Sequence, residues 1–209
     1  MSPRSSVAET RRTRQRIVDR SLVVASLYGL DGLTIGRLAT DLGMSKAGVL
    51  GHFGTKESLQ LAVVDAAAEL FTRKVLNQVA DDVPPGLPRL QAWCDAWVSY
   101  LARDVLPGGC LLTAAAAEFD GRSGPVRDAI AGMNDLWQRD LRLQIRHAIT
   151  AGELQPDTDA DQLVYEMAGI MLALNHFLQL QRDRSAPARA RRALHRLWEG
   201  VKVPVRNGD

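Results

Sequence analysis

With 209 residues, 46% hydrophobic and 24% charged, the chain has an ordinary globular composition and the length for one or two domains with a real core. The polar, arginine-rich N-terminus lacks the apolar stretch of a secretory leader. The longest uncharged apolar run, between Glu166 and Arg182, falls short of the roughly 20 residues that span a bilayer, so a cytoplasmic protein with no membrane association is expected. The formal net charge of +2 is unevenly spread: residues 1–60 hold nine basic and five acidic residues, the remainder 17 and 19. A basic end on a slightly acidic body points to an anionic partner at that end. The two cysteines, Cys94 and Cys110, form no C-x-x-C pair and imply no disulfide framework. No metal or cofactor is expected.

In chain order, nearly every segment reads helical and no run alternates as a strand does, so the fold class is all-α. Residues 10–28 pattern as a helix with a face of Ile17, Val18, Ser21, Leu22, Ala25 and Tyr28, stopped by Gly29. Thr34 is an N-cap, with Leu33 and Leu38 at the spacing of a hydrophobic staple, for a helix ending at Leu42. Gly43 suits the left-handed position after it, Ser45 caps a helix to about Phe53, and Gly54 breaks that helix. Thr55 then caps a connector helix predicted over 56–79, and "DDVPPGLP" at 81–88 is a loop. Further helices are predicted over 88–103, 111–119, 125–151, 159–182 and 187–199. Pro125 and Pro187 suit first turns, and Asp159 with Gln162 approximates a capping box.

Two short helices joined by a glycine turn form a helix-turn-helix, whose second helix enters the major groove of DNA. Ile35, Leu38, Ala39, Leu42, Met44, Val49 and Phe53 would lock the pair. Gly48 and Gly51 lie inside the second helix, where each costs on the order of 1 kcal/mol relative to alanine. That penalty makes sense where backbone must approach a base edge or phosphate closely.

The stretch "RIVDRSLVVASLYGLDGLTIGRLATDLGMSKAGVLGHFGTKESL", Arg16 to Leu59, resembles the TetR family of transcriptional regulators. The family pattern G-x-x-x-x-T, I-A-x-x-x-G-V-S, L-Y-x-H-F, K-x-x-L is met by Gly29 and Thr34, by Leu38-Ala39 with Gly43-Met44-Ser45, by Val49 to Phe53, and by Lys56 with Leu59. Two positions depart from it: Leu50 stands where a phosphate-binding tyrosine is common, and Gly51 where a bulky or polar residue is common. The resemblance implies an arm and DNA-binding domain over 1–55 and a helical effector-binding and dimerisation domain over 56–209. It implies DNA contacts from Arg14, Thr34, Arg37, Ser45, Lys46, Ala47, Gly48, His52, Thr55 and Lys56. Base reading would fall mainly to Lys46, Ala47 and Gly48, with Arg37 as a further candidate, and the arginines from Arg4 to Arg16 would track the backbone or enter the minor groove.

For the body, the resemblance implies a homodimer built on the last two long helices. Leu163, Met167, Ile170, Leu174, Phe177, Leu178, Leu194, Leu197 and Trp198 form a surplus of apolar residues there, more than one core-facing stripe needs. It also implies a small-molecule pocket. The residues suited to line it are Trp93, Trp97, Tyr100, Phe119, Met133, Trp137, Met167 and Met171, with Asn134, Glu118 and Asn175 as polar contacts, which favours a lipophilic or aromatic effector. The expected function is a ligand-responsive repressor binding a palindromic double-stranded operator. The alternative is a DNA-binding regulator under thiol control through Cys94 or Cys110. Catalysis is not expected: the four histidines are scattered, and no H-E-x-x-H, G-x-S-x-G, P-loop or GxGxxG motif is present.

Overall fold

The computed structural model describes residues 3–204, with side chains from Val7 onward. Among them run α1 (Pro3–Tyr28), α2 (Ile35–Leu42), α3 (Lys46–Phe53), α4 (Lys56–Lys74), α5 (Leu87–Ala102), α6 (Leu111–Phe119), α7 (Pro125–Thr150), α8 (Ala160–Gln179) and α9 (Ala186–Val201), with a 3-10 turn at Leu76–Gln78. The one β-type pairing among the described residues is an isolated bridge between Leu154 and Lys202, so the all-α reading holds.

Three boundaries differ from the sequence reading. The first helix starts at Pro3, so the basic arm is helical and continuous with α1. The connector ends at Lys74, where Gln78 Nε2 donates to the Arg73 carbonyl at 2.9 Å and satisfies a helix-end acceptor. The penultimate helix ends at Gln179, because the Asp183 N–H closes back on the Phe177 carbonyl at 3.0 Å with Arg182 left-handed at φ 54°. The box at α8 is half made. Asp159 Oδ1 accepts from the N–H groups of Asp161 and Gln162, but the Gln162 side chain donates onward to Glu166.

The chain divides into two compact units, one of residues up to Leu70 with Leu106–Met133, the other of Phe71–Val105 with the residues from Asn134 onward. In the first, α1 buries Ile17, Val18, Leu22, Val24 and Ala25, and the buried Ser21 hydroxyl is satisfied by donating to the Ile17 carbonyl at 2.7 Å. Leu30, Leu33, Leu38, Val49, Leu59 and Val63 complete that core. The turn after α1 is pinned from several sides. Glu118 of α6 accepts from the N–H groups of Leu30 and Asp31 at 2.8 Å each, Gln60 Nε2 donates to the Leu30 carbonyl, and Lys56 Nζ donates to the Asp31 carbonyl. Gly29, at φ 77°, stands where a Cβ would come within 2.7 Å of the Glu118 carboxylate.

In the second unit α5, α7, α8 and α9 bury Leu90, Val98, Ile145, Leu163, Met167, Met171, Leu194 and Trp198. The first turn of α5 has no capping side chain of its own. Distant groups supply the acceptors instead: Gln144 Oε1 takes the Gly86 N–H at 3.0 Å and Glu153 Oε2 takes the Leu87 N–H at 2.8 Å. Among the described residues no helix is long and apolar enough to cross a membrane.

Candidate nucleic-acid interface

The α2–α3 pair is set by local chemistry. Thr34 Oγ1 accepts from the Arg37 N–H at 3.2 Å, and Ser45 Oγ accepts from the Gly48 N–H at 2.9 Å. Gly43 sits left-handed at φ 65°, and the Met44 N–H returns to the Ala39 carbonyl at 2.9 Å. Leu38, Ala39, Val49 and Phe53 are buried, while Ile35, Leu42 and Met44 are half-buried at the edges of the seam. Packing rather than helix propensity therefore holds the glycine-rich α3.

That packing leaves Ser45, Lys46, Ala47 and Gly51 exposed on α3, with Thr34 and Arg37 exposed at the start of α2. A cap oxygen that accepts from a backbone N–H still has its hydroxyl proton to give, so Thr34 and Ser45 can donate to a phosphate at a helix N-terminus. Lys46 lays its stem against α2: a Cβ at Gly36 would meet Lys46 Cε at 3.3 Å. The two glycines of α3 differ. A Cβ at Gly51 would meet nothing within 4 Å, whereas one at Gly48 would meet Ser45 Oγ at 3.2 Å and Met44 Cε at 3.6 Å. Gly48 is thus half-buried against its own cap, and Gly51 is the open position.

Several of the cations expected at DNA already have protein partners. Arg14 Nη1 donates to the His52 carbonyl at 2.7 Å and its guanidinium lies 4.2 Å from the Phe53 ring centre, which ties α1 to the end of α3. The Arg37 guanidinium lies 3.8 Å from the Tyr28 ring centre. Arg20, outside the expected DNA contacts, pairs with Asp41 at 2.7 Å. The Thr55 hydroxyl caps α4 through the Ser58 N–H and donates to Ser58 Oγ, while Lys56 holds the Asp31 carbonyl. Arg11, Arg12 and Arg16 are exposed on α1; the side chain of Arg4 lies outside the described residues. Long-range ties such as Arg14–His52 and Arg20–Asp41 have no signal in spacing, because residues 38 and 21 positions apart meet only through the fold.

The residues read as effector contacts are gathered only in part. Phe71 meets Trp97, Tyr100 and Trp137 edge-on at centroid distances of 5.3, 6.1 and 5.4 Å; Trp97 and Trp137 lie 5.7 Å apart, and Trp93 and Trp137 5.6 Å. The three tryptophans are each half-buried, so this cluster in the second unit keeps accessible aromatic surface. Trp97 Nε1 is the one buried side-chain nitrogen or oxygen among the described residues without a hydrogen-bond partner. Phe71 was not anticipated; its place at the centre of the rings comes from α4 running on past the first unit. Met167 and Met171 are packed in the core of the second unit, Asn134 is exposed, and Asn175 is half-buried and already engaged. Phe119 and Met133 belong to the first unit, where Phe119 is buried under the Arg122 guanidinium. Glu118 is spent on the turn after α1, which corrects its reading as an effector contact.

The expected dimer face needs a similar correction. Leu163, Met167, Leu174, Leu194 and Trp198 are buried within the protomer's own second unit. Ile170, Leu178 and Leu197 are half-buried and Phe177 is 40% exposed; Tyr165 at 75%, Leu172 at 55% and Leu180 at 68% are also exposed along α8 and at its end. A shallow groove there is lined by Gly169, Ala173 and Ala193 with Glu166 and Arg196 at its edge. Thiol control finds no support. Burial pushes the Cys94 thiol up to about 12 and raises Cys110, so neither is the exposed, low-pKa thiol that redox sensing requires.

Comparison with known proteins bears on the whole arrangement. The family model described as "Bacterial regulatory proteins, tetR family" matches residues 17–63, and that described as "Tetracyclin repressor-like, C-terminal domain" matches residues 86–194. The HTH-type transcriptional regulator SrpR of Pseudomonas putida is 25% identical over 205 residues, covering 97% of this chain and 92% of that protein. A TetR transcriptional regulator from Chloroflexus aurantiacus superposes with a TM-score of 0.84 at 25% identity, covering 94% of this chain and all of that one. AibR, solved in complex with isovaleryl coenzyme A and operator DNA, shares the fold with a TM-score of 0.71 at 19% identity, over 87% of this chain and 95% of that one. With a capped helix-turn-helix at one end and a tetracycline-repressor-like helical body at the other, the chain belongs to the TetR family of DNA-binding transcriptional regulators.

Proposed function

We propose that the protein is a repressor that binds a palindromic operator as a homodimer and releases it when a lipophilic or aromatic effector occupies the helical body. The observation that carries the DNA half is the outward face of α3. Ser45, Lys46 and Ala47 stand exposed on a helix whose inner side is buried at Val49 and Phe53. Lys46 can donate to guanine O6 and N7, the Ala47 methyl can touch a thymine methyl, and the hydroxyls of Thr34 and Ser45 fix the backbone. With Leu50 in place of a phosphate-binding tyrosine, these cap hydroxyls and the helix N-terminal N–H groups carry the phosphate contacts.

The outer surface of α8 and α9, from Tyr165 through Ile170 and Leu172 to Leu197, supplies the self-association face. Exposed apolar residues this dense mark an interface, and the small residues Gly169, Ala173 and Ala193 let helices approach. Dimerisation would set the two α3 helices about 34–36 Å apart, or a multiple, to match a palindrome. The half-exposed tryptophans around Phe71 supply the effector surface, and Trp97 Nε1 offers an oxygen atom entering among the rings an otherwise unpaired donor. AibR, solved with both isovaleryl coenzyme A and operator DNA, is a precedent for a small molecule and an operator on one chain of this fold. An effector shifts the operator equilibrium only by its difference in affinity for the two states.

Footprinting on the DNA flanking the gene, with light scattering on the free protein, tests this reading. A protected palindrome and a dimer are expected. A monomer, or protection that random duplex competes away at equal concentration, would overturn it.

A further inference from the structure

Next to the aromatic cluster, with which it shares Tyr100, the second unit carries a cleft of about 480 Å³. Its volume lies in the range of roughly 300–1,000 Å³ typical of small-molecule sites. Val79, Val83, Ala92 and Ala96 give it apolar walls, and Lys74 and Arg103 bring two cations. Neither of those side chains makes an ion pair or hydrogen bond among the described residues. Asp95, the one carboxylate lining the cleft, is paired with Arg191 of α9 at 3.3 Å, and Arg191 also donates to Ser99 at 3.1 Å. Among the lining side chains, Lys74 and Arg103 are therefore the cations left for a ligand, beside a wall that is apolar in part.

We propose that this cleft binds a small organic anion, its apolar body against Val79, Val83 and Ala96 and its carboxylate, sulfonate or phosphate against Lys74 and Arg103. The ordinary role of these cations is to offset the dipoles of the helices they end, since Lys74 closes α4 and Arg103 follows α5. That role alone gives no preference for a ligand's charge, which makes the two separable.

The probes are 8-anilinonaphthalene-1-sulfonate and N-phenyl-1-naphthylamine, which share an aromatic body and differ in the sulfonate. Fluorescence titration of the full chain is expected to show tighter binding of the sulfonate. Lys74→Gln with Arg103→Gln should weaken the sulfonate roughly tenfold and leave the neutral amine unchanged. Ala96→Trp, which fills the cleft and keeps both cations, should weaken the sulfonate as well and covers the case in which the double variant does not fold. Equal affinity for the two probes, equal loss of both in the double variant, or unchanged sulfonate binding in Ala96→Trp overturns the proposal.

Discussion

In α3 the outward residues are set by neighbours one or two turns away: Ser45 caps, Gly54 ends, and Val49 and Phe53 point inward. In α8 neither side is chosen locally. Leu163, Met167 and Leu174 are buried while Tyr165, Leu172 and Leu180 are exposed, although all are apolar and closely interleaved. The difference shows how each helix serves its surface. A short helix with polar residues outside needs little more than a cap and two anchors. A long helix with apolar residues on more than one face needs its neighbours to decide which stripe becomes core, and the other is left for a partner.

The largest test of this contrast is a pair on α8. Met167→Ala should lower protomer stability by about 2–5 kcal/mol, since it empties a site that is 1% exposed, with denaturant unfolding as the measurement. Leu172→Asp should leave that stability within about 0.5 kcal/mol and weaken self-association in sedimentation. Similar loss of stability in both would erase the distinction between the two stripes.

For the DNA face the corresponding pair is Lys46→Ala, at the start of α3, and Lys56→Ala, at the start of α4. The first should weaken the specific operator by about 1–3 kcal/mol and random duplex less. The second should weaken both alike and reduce the salt slope by about one, with a small loss of stability because Lys56 Nζ also holds the Asp31 carbonyl at 2.8 Å. Equal effects of the two substitutions on both DNAs would show that Lys46 does not read bases.

Gly48→Leu is a finer probe. The new Cβ presses on Ser45 Oγ at 3.2 Å, which threatens a cap worth about 1 kcal/mol, while replacing glycine within a helix returns a similar amount. Stability should change little and operator affinity should fall; unfolding, or unaltered binding in a gel shift, would show that α3 presents another face.

The smallest effect lies at the turn after α1. The hydrogen bond from Arg122 holds the Asp31 carboxyl below the usual carboxylate value. A depressed folded-state pKa stabilises above the unfolded value of about 3.9 and loses that contribution as pH falls through the folded one. Arg122→Ala should therefore be slightly less stable than the parent at neutral pH and converge on it in acid. Both side chains are about half exposed, so the gap is small; a gap that widens in acid would contradict it.

The sequence by itself determined the helical class, the cap at Thr34, the turn at Gly43, the cap at Ser45 and the apolar seam of α2 and α3. The caps and the turn depend on residues within four or five positions, where a side chain's reach and a backbone angle are enough, and the seam joins two helices separated only by that turn. Tertiary structure alone decided the rest. Glu118 looked like a free acid in a helix and serves the N–H groups of Leu30 and Asp31, while Arg14 looked like a DNA arm and donates to the His52 carbonyl. Trp93, Trp97 and Trp137 became one cluster because Phe71 lies between α5 and α7. These contacts join residues tens of positions apart, and neither periodicity nor propensity carries information over that distance; only the packing of whole helices brings the groups together.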